Sequence, residues 1–265
     1  MEFDYKFNPA EAYEIISKEW KAWADKVGAT KWVLGISGGK DSTVVAALAQ
    51  RIFGADRVIG VLMPNGVQDD IQDSQDICTH LGIRYYTVNI GSAYRNLLNE
   101  ISAELEWGSL GYEEAPSYDT RCNLPPRLRM ATLYAIAQTE KAMVLNTSNL
   151  SEMMVGYETL WGDNTGSYAP IQGLTATEVV FLGDWLKLPF HLTHKVPMDG
   201  LQEKTDEDKL GFSYGELDVY IREGTCEKRV KALIDEKHRQ AKFKLDMVKL
   251  EHPSIPYLKN YVLRG

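Results

Sequence analysis

The chain has 265 residues, enough for one large domain or one domain with a small appendage. Hydrophobic residues make up 44% and charged residues 25%, a globular balance that excludes wholesale disorder. A net charge of −8 argues against a general nucleic-acid or anionic-membrane binder, while leaving room for a local basic site that takes an anionic small molecule.

Asn8-Pro9-Ala10-Glu11 reads as a helix start. Asn8 can cap, Pro9 suits the first helical position and Glu11 can reach back. The helix is predicted to run to residue 27, with Ile15, Ile16, Trp20 and Trp23 on its apolar side. Residues 31–36, KWVLGI, read as a buried strand that breaks into Ser37-Gly38-Gly39-Lys40-Asp41. Residues 42–53 follow as a helix rich in Ala, Val and Leu. A second strand, 58–63, ends at Pro64-Asn65-Gly66. A helix with acidic punctuation covers 69–81, and a third strand covers 85–90. After a less regular stretch, 107–123, come a helix at 126–140 and a fourth strand at 143–146. The polar turn Thr147-Ser148-Asn149 follows. A Gly-rich loop, 156–166, leads to Pro170 and a helix at 175–186. From 205 onward the pattern is helical and highly charged. It reads as an extension rather than a second independent domain, so 1–265 is taken as a single domain.

Alternation of short apolar strands with helices implies an α/β fold, a doubly wound, Rossmann-like parallel sheet with a helical C-terminal extension. Such sheets bind ligands at the carboxyl ends of their strands, so the polar turns after the first, second and fourth strands are the places to look. Cys78, Cys122 and Cys226 form no Cys-x-x-Cys pair, which indicates neither a zinc knuckle nor a redox dithiol and suits a reducing cytosol. No signal-peptide pattern opens the sequence and no apolar run approaches the ~18 residues of a membrane span, so a cytoplasmic protein is expected, with no nucleic-acid or membrane partner.

The strongest local signal is Gly35-Ile36-Ser37-Gly38-Gly39-Lys40-Asp41-Ser42. A strand runs into two glycines and then into a helix. Glycines let the backbone approach phosphate, and the helix start offers free N–H donors and a positive dipole end. Ser37 and Ser42 add hydroxyls. Asp41 places a carboxylate beside the phosphates, where repulsion calls for a divalent cation between them. A Walker A loop is excluded, because Lys40 is followed by Asp41 and Leu34 stands where its first glycine should be. The SGGxDS form resembles the loop of the ATP pyrophosphatase superfamily, which cleaves ATP between its α- and β-phosphates and has the adenine nucleotide alpha-hydrolase type of fold.

Further segments resemble the ammonia-dependent NAD synthetases. They are MPNGVQ at 63–68, NLPPRLRM at 123–130, NTSNLSE at 146–152, Gly162-Asp163 and KTDEDKLGFSY at 204–214. The resemblance implies a two-step reaction. The carboxylate of deamido-NAD attacks the α-phosphorus of ATP, pyrophosphate leaves, and ammonia then converts the acyl-adenylate into NAD and AMP. It implies that Gly35, Ile36, Ser37, Gly38, Gly39, Lys40, Asp41 and Ser42 hold ATP, with Gln68 and Thr147 near it. Asp41 and Glu152 would bind Mg2+, and Arg127 would contact the phosphates of deamido-NAD. Trp23 would stack on the nicotinate ring from the neighbouring subunit of a homodimer. Asp163 would belong to the loop over the adenylate, and Lys244 would lie near the substrate. The expected catalytic set is Asp41, Lys40 and Asp163. Each has a plainer reading: Trp23 as a helix core residue, Arg127 and Arg129 as an exposed face, Glu152 as an early-helix acid, Lys244 as a solvated lysine.

Several positions depart from that family pattern. Lys40 replaces an uncharged residue. Ala176 stands where the family has an ATP-contacting lysine, and Met198 where it has a hydroxyl residue. Leu160 and Ser167 replace a substrate-binding lysine and aspartate. One account is that Lys40, aimed at the ATP phosphates, replaces the cation missing at 176. The roughly 35 residues before the phosphate loop are too few for a glutamine-hydrolysing domain, so free or externally supplied ammonia is the expected nitrogen source. Three alternatives remain: a ligase of the same superfamily acting on a different small carboxylate, an RNA-modifying relative suggested by Lys40, and a non-catalytic nucleotide-binding regulator. Acidity and the lack of a basic appendage count against the RNA reading.

Overall fold

The computed structural model describes residues 7–104, 116–195 and 206–260. Four parallel strands, β1 (Trp32–Gly35), β2 (Val58–Leu62), β3 (Arg84–Thr87) and β4 (Met143–Val144), form one sheet in the order β3-β2-β1-β4. The order reverses beside β1, so the carboxyl ends of β1 and β4 flank a switch point where ligands bind in open parallel sheets.

Both faces of the sheet are covered, as the near-continuous apolar strands require. Successive strand residues point to opposite faces. Trp32 and Leu34 of β1, with Val58 and Leu62 of β2, pack on one side in a cluster with Trp20, Leu48 and Ile77. These come from α1 (Pro9–Val27), α2 (Lys40–Phe53) and α3 (Ile71–Leu81). Val33, Ile59, Val61 and Val144 pack on the other side with Ala137, Leu133 and Tyr134. Those three belong to α5 (Tyr118–Glu140), which follows α4 (Gly91–Glu104).

A third apolar cluster joins α6 (Leu150–Val155) and α7 (Ala176–Trp185) to the extension. Phe190–Thr193 forms a short helix, α8; α9 (Asp206–Leu210), α10 (Tyr214–Glu223) and α11 (Lys228–Met247) follow. Leu150, Met154, Leu217, Ile221 and Ile234 fill this cluster. Buried at its edge, Arg222 binds Glu178 through two hydrogen bonds of 2.8 and 2.7 Å.

Asn8 caps α1 as expected, accepting from the N–H groups of Ala10 and Glu11. Several features differ from the sequence reading, which placed no element where α6 and α8 stand. Helix α2 begins at Lys40, two residues earlier, and α4 stands where no element was predicted. Helix α5 begins at Tyr118 and carries Pro125 and Pro126 inside it. Proline at 125 deprives the Arg121 carbonyl of its helical donor, and the Tyr94 hydroxyl of α4 lies 3.5 Å from that oxygen. The tail is not helical after Met247. It runs back along the body, where Glu251 accepts from the Ala169 N–H and the Tyr257 hydroxyl reaches Asn8 O. Met198 and the start of the 204–214 segment lie outside the described residues, as does most of 107–123. Among the described residues, no helix is long and apolar enough to cross a membrane.

Candidate active site

The glycine loop joins the end of β1 to the start of α2, at the carboxyl edge of the sheet. Gly38 has φ +79, and a Cβ there would sit 3.0 Å from Asp73 Cβ and 3.2 Å from Ser74 Oγ, so only glycine fits. The loop is held by its own serines. Ser37 Oγ accepts from the Gly39 N–H, and Ser42 Oγ accepts from the Ser37 N–H and donates to Gly39 O. Gly39 supplies no side-chain cap for α2. The first-turn N–H groups are thus left without a side-chain acceptor, at the positive end of the helix dipole. One contributor was invisible in the sequence. Ser74 of α3 is fully buried beside Gly38, and its hydroxyl has no hydrogen-bond partner among the described residues. An orphaned buried hydroxyl at a phosphate-type loop is a donor in waiting.

Asn149 ties the loop to the neighbouring strand end. It caps α6, accepting from the N–H groups of Ser151 and Glu152, while its own N–H donates to Glu152 Oε2 at 3.3 Å. Its side-chain amide donates to Asp41 Oδ1 at 3.0 Å. Asp41, on α2, and Glu152, on α6, are thereby brought together across the switch point. Burial and the Asp41 carboxylate together push the Glu152 carboxyl well above its ordinary range. Lys40 lies inside this group, 7% exposed, with Nζ 2.7 Å from Asp41 Oδ2. Burial alone would lower its pKa; Asp41, Glu152 and Asp218 outweigh that and hold it at about 12.

The Gly-rich loop after α6 closes over the end of β4. Asn146 Nδ2 donates to the carbonyls of Asp163 and Thr165, and a Cβ on Gly166 would meet Asn146 N at 2.8 Å. Asp163 accepts from the Thr159 N–H at 2.6 Å. Between them Trp161 takes φ +59, a left-handed conformation costly for a bulky residue, and leaves its indole 47% exposed. Arg127 of α5 donates to Leu160 O at 3.2 Å. Lys244 of α11 donates to the carbonyls of Gly156 and Glu158 at 2.8 and 2.6 Å. Lys244 also lines a small cavity of mixed character with Asn146, Ser148, Glu158 and the apolar Met153 and Val248. There burial, and then Asp163, push the Glu158 carboxyl up to about 7.

A family model described as NAD synthase matches residues 13–252 of this sequence. The chain belongs to the NAD synthase family. It is 37% identical over 211 residues to the NH(3)-dependent NAD(+) synthetase of Thermococcus kodakarensis, covering 79% of each chain. It is 35% identical to the enzyme of the same description from Finegoldia magna, covering 91% of this chain and 96% of that one. Among solved structures, the NMN synthetase of Francisella tularensis superposes with a TM-score of 0.79 at 29% identity, covering 90% of this chain and 96% of that one.

Within this chain, the structure gathers most of the residues singled out in the sequence. Gly35 to Ser42, Glu152, Thr147, Asp163 and Lys244 lie around the ends of β1 and β4. Gln68 follows the neighbouring β2, where its amide donates to Asp70 Oδ1 at 2.9 Å. Arg127 is tied to the Asp163 loop through Leu160 O. Lys244 is not the solvated lysine of the plainer reading, since its ammonium is bound to two carbonyls. Trp23 is not brought to the loop. It packs on Trp32, at the opposite end of β1, and on Tyr168, with ring centroids 6.2 and 4.8 Å away. Ala176 is buried, its N–H on Ser151 Oγ. Asp41 and Glu152 supply a hard, two-carboxylate donor set. That fits Mg2+, which takes one or two protein carboxylates and completes its shell with phosphate oxygens and water.

Proposed function

We propose that this chain amidates deamido-NAD with ammonia, using ATP and releasing AMP and pyrophosphate. What carries the reading is the meeting of an uncapped glycine loop with Asp41 and Glu152 at the switch point of a chain belonging to this family. The N–H groups at the start of α2 and the hydroxyls of Ser37 and Ser74 bind the ATP phosphates, with Ser42 holding the loop in shape. Asp41 and Glu152 would hold Mg2+, which would supply positive charge against the phosphates. Gln68 and Thr147 flank the nucleotide. The substrate carboxylate attacks the α-phosphorus and the bond to the β-phosphate oxygen breaks. The loop carrying Asp163, held down by Asn146, Arg127 and Lys244, keeps water from the acyl-adenylate. Ammonia then forms the C–N bond as AMP departs. The direct test is exchange of labelled pyrophosphate into ATP without ammonia. It should depend strictly on deamido-NAD; exchange that ignores the acceptor overturns the reading.

A second acceptor is favoured by one observation, the TM-score of 0.79 with the Francisella tularensis NMN synthetase. Under that reading the substrate is nicotinate mononucleotide, and Leu160 and Ser167 have lost contacts that a dinucleotide would use. Comparing kcat/KM for the two acceptors separates them.

The working unit is a homodimer in the cytoplasm. In support, α5 spans 23 residues yet only Pro125 and Ala137 are buried, and α4 buries only Gly91. Helices this long gain their stability from packing, so a second copy is placed on them. Leu97, 40% exposed on α4, belongs to that face. Leu97→Glu should give a monomer in sedimentation velocity; an unchanged dimer places the interface elsewhere. The free cysteines, with Cys78 buried, suit a reducing compartment.

A further inference from the structure

Lys40 occupies the first position of α2, where a buried ammonium is doubly unfavourable: it is desolvated and it faces the positive end of the helix dipole. Its position is explained by carboxylates. Nζ donates to Asp41 Oδ2 at 2.7 Å and lies 5.6 Å from the centre of the Tyr214 ring. Glu152 and Asp218 add their fields. Asp218 is already committed, since Oδ1 accepts from Ser151 Oγ at 2.5 Å and Oδ2 from the Thr177 N–H at 2.8 Å. Of the two groups assigned to Mg2+ above, Asp41 is the one this ammonium pairs with directly.

A divalent cation arriving alone must displace this ammonium or sit beside it. A cation arriving on a triphosphate brings enough negative charge to reverse the balance. We propose that Lys40 is a positioning residue, the resident counter-ion of Asp41, which keeps the site that Asp41 shares with Glu152 closed to free divalent cations until nucleotide phosphates deliver one. The inference rests on the Mg2+ assignment and concerns neither acceptor nor ammonia.

The test is Mn2+ binding to the full-length chain, followed by electron paramagnetic resonance, with and without a non-hydrolysable ATP analogue. Lys40→Met removes the charge and keeps an unbranched chain. Its nucleotide-free form should bind Mn2+ at least ~10-fold more tightly than wild type, a modest effect for unit charges at this separation. Lys40→Arg should behave as wild type. A merely structural lysine would give weaker or unchanged binding on removal, and either result overturns the proposal. Should Lys40→Met fail to fold, the wild type decides. It should bind Mn2+ at least ~10-fold more tightly with the analogue than without it, and equal, tight binding in both states overturns the proposal. Wild type that strengthens with the analogue while a folded Lys40→Met matches it without nucleotide sinks this inference alone. No Mn2+ binding in any state sinks the Mg2+ assignment as well.

Discussion

Replacing Asn149 separates two jobs that one side chain performs. It is fully buried, its oxygen caps α6 with bonds of 3.0 Å to the N–H groups of Ser151 and Glu152, and its amide nitrogen binds Asp41 Oδ1 at 3.0 Å. Removing an N-cap costs about 1 kcal/mol. Removing a hydrogen bond to a charged acceptor costs about 1.5–3 kcal/mol. Asn149→Ala should therefore lose about 2.5–4 kcal/mol. Asn149→Ser keeps a capping oxygen but cannot reach Asp41, so it should lose only the second share, about 1.5–3 kcal/mol. Equilibrium urea unfolding at one fixed protomer concentration measures both, since dimerisation would otherwise enter the result. Pyrophosphate release should fall sharply in both variants, because Asp41 loses its anchor in each. The reasoning fails if Asn149→Ala lies within about 0.5 kcal/mol of wild type, the range of ordinary surface substitutions. It also fails if the serine variant is no more stable than the alanine one.

Three other perturbations follow from the same structure. Gly156 has φ +65 and its missing Cβ would collide with Ala241 Cβ, so Gly156→Ala should push α11 off the loop. It should cost at least about 2 kcal/mol and raise the acceptor KM, by thermal unfolding and steady-state rates. Arg222→Met leaves Glu178 buried and unpaired, an expected loss of about 3–5 kcal/mol in urea unfolding, and adding Glu178→Gln should recover part of it. Glu158, whose carboxyl is raised from 4.5 to about 7, holds its proton longer in the folded state. Stability should thus fall as pH rises from about 4.5 to 7, and Glu158→Gln should flatten that slope in pH-dependent thermal melts.

The sequence exposed the elements that carry their own pattern. The apolar run of β1, the glycines after it and the Ala/Val-rich α2 announce a strand, a loop and a helix within 22 residues, 32 to 53. Asp41 and Glu152 could be named because SGGxDS and NTSNLSE are local strings. Helix α4 was missed although Tyr94, Leu97, Leu98 and Ile101 recur at helical spacing; the signal was present and was passed over between the third strand and the irregular stretch. The early start of α5 was hidden by Pro125 and Pro126, which ordinarily end a helix and are tolerated here inside one. Ser74 gave no signal, since one serine on an acidic helix looks solvated until the fold sets it behind Gly38. The direction of Lys40 was equally hidden. A lysine in a phosphate loop suggests an outward reach, and only the fold shows it buried, paired with Asp41 and set over the ring of Tyr214.

Product analysis after incubation with ATP, Mg2+, ammonium and deamido-NAD tests the central claim most directly. The account predicts NAD, AMP and pyrophosphate in equal amounts, with AMP formation lost in Asp41→Asn. Formation of ADP and inorganic phosphate, or AMP formation that survives that substitution, would contradict it.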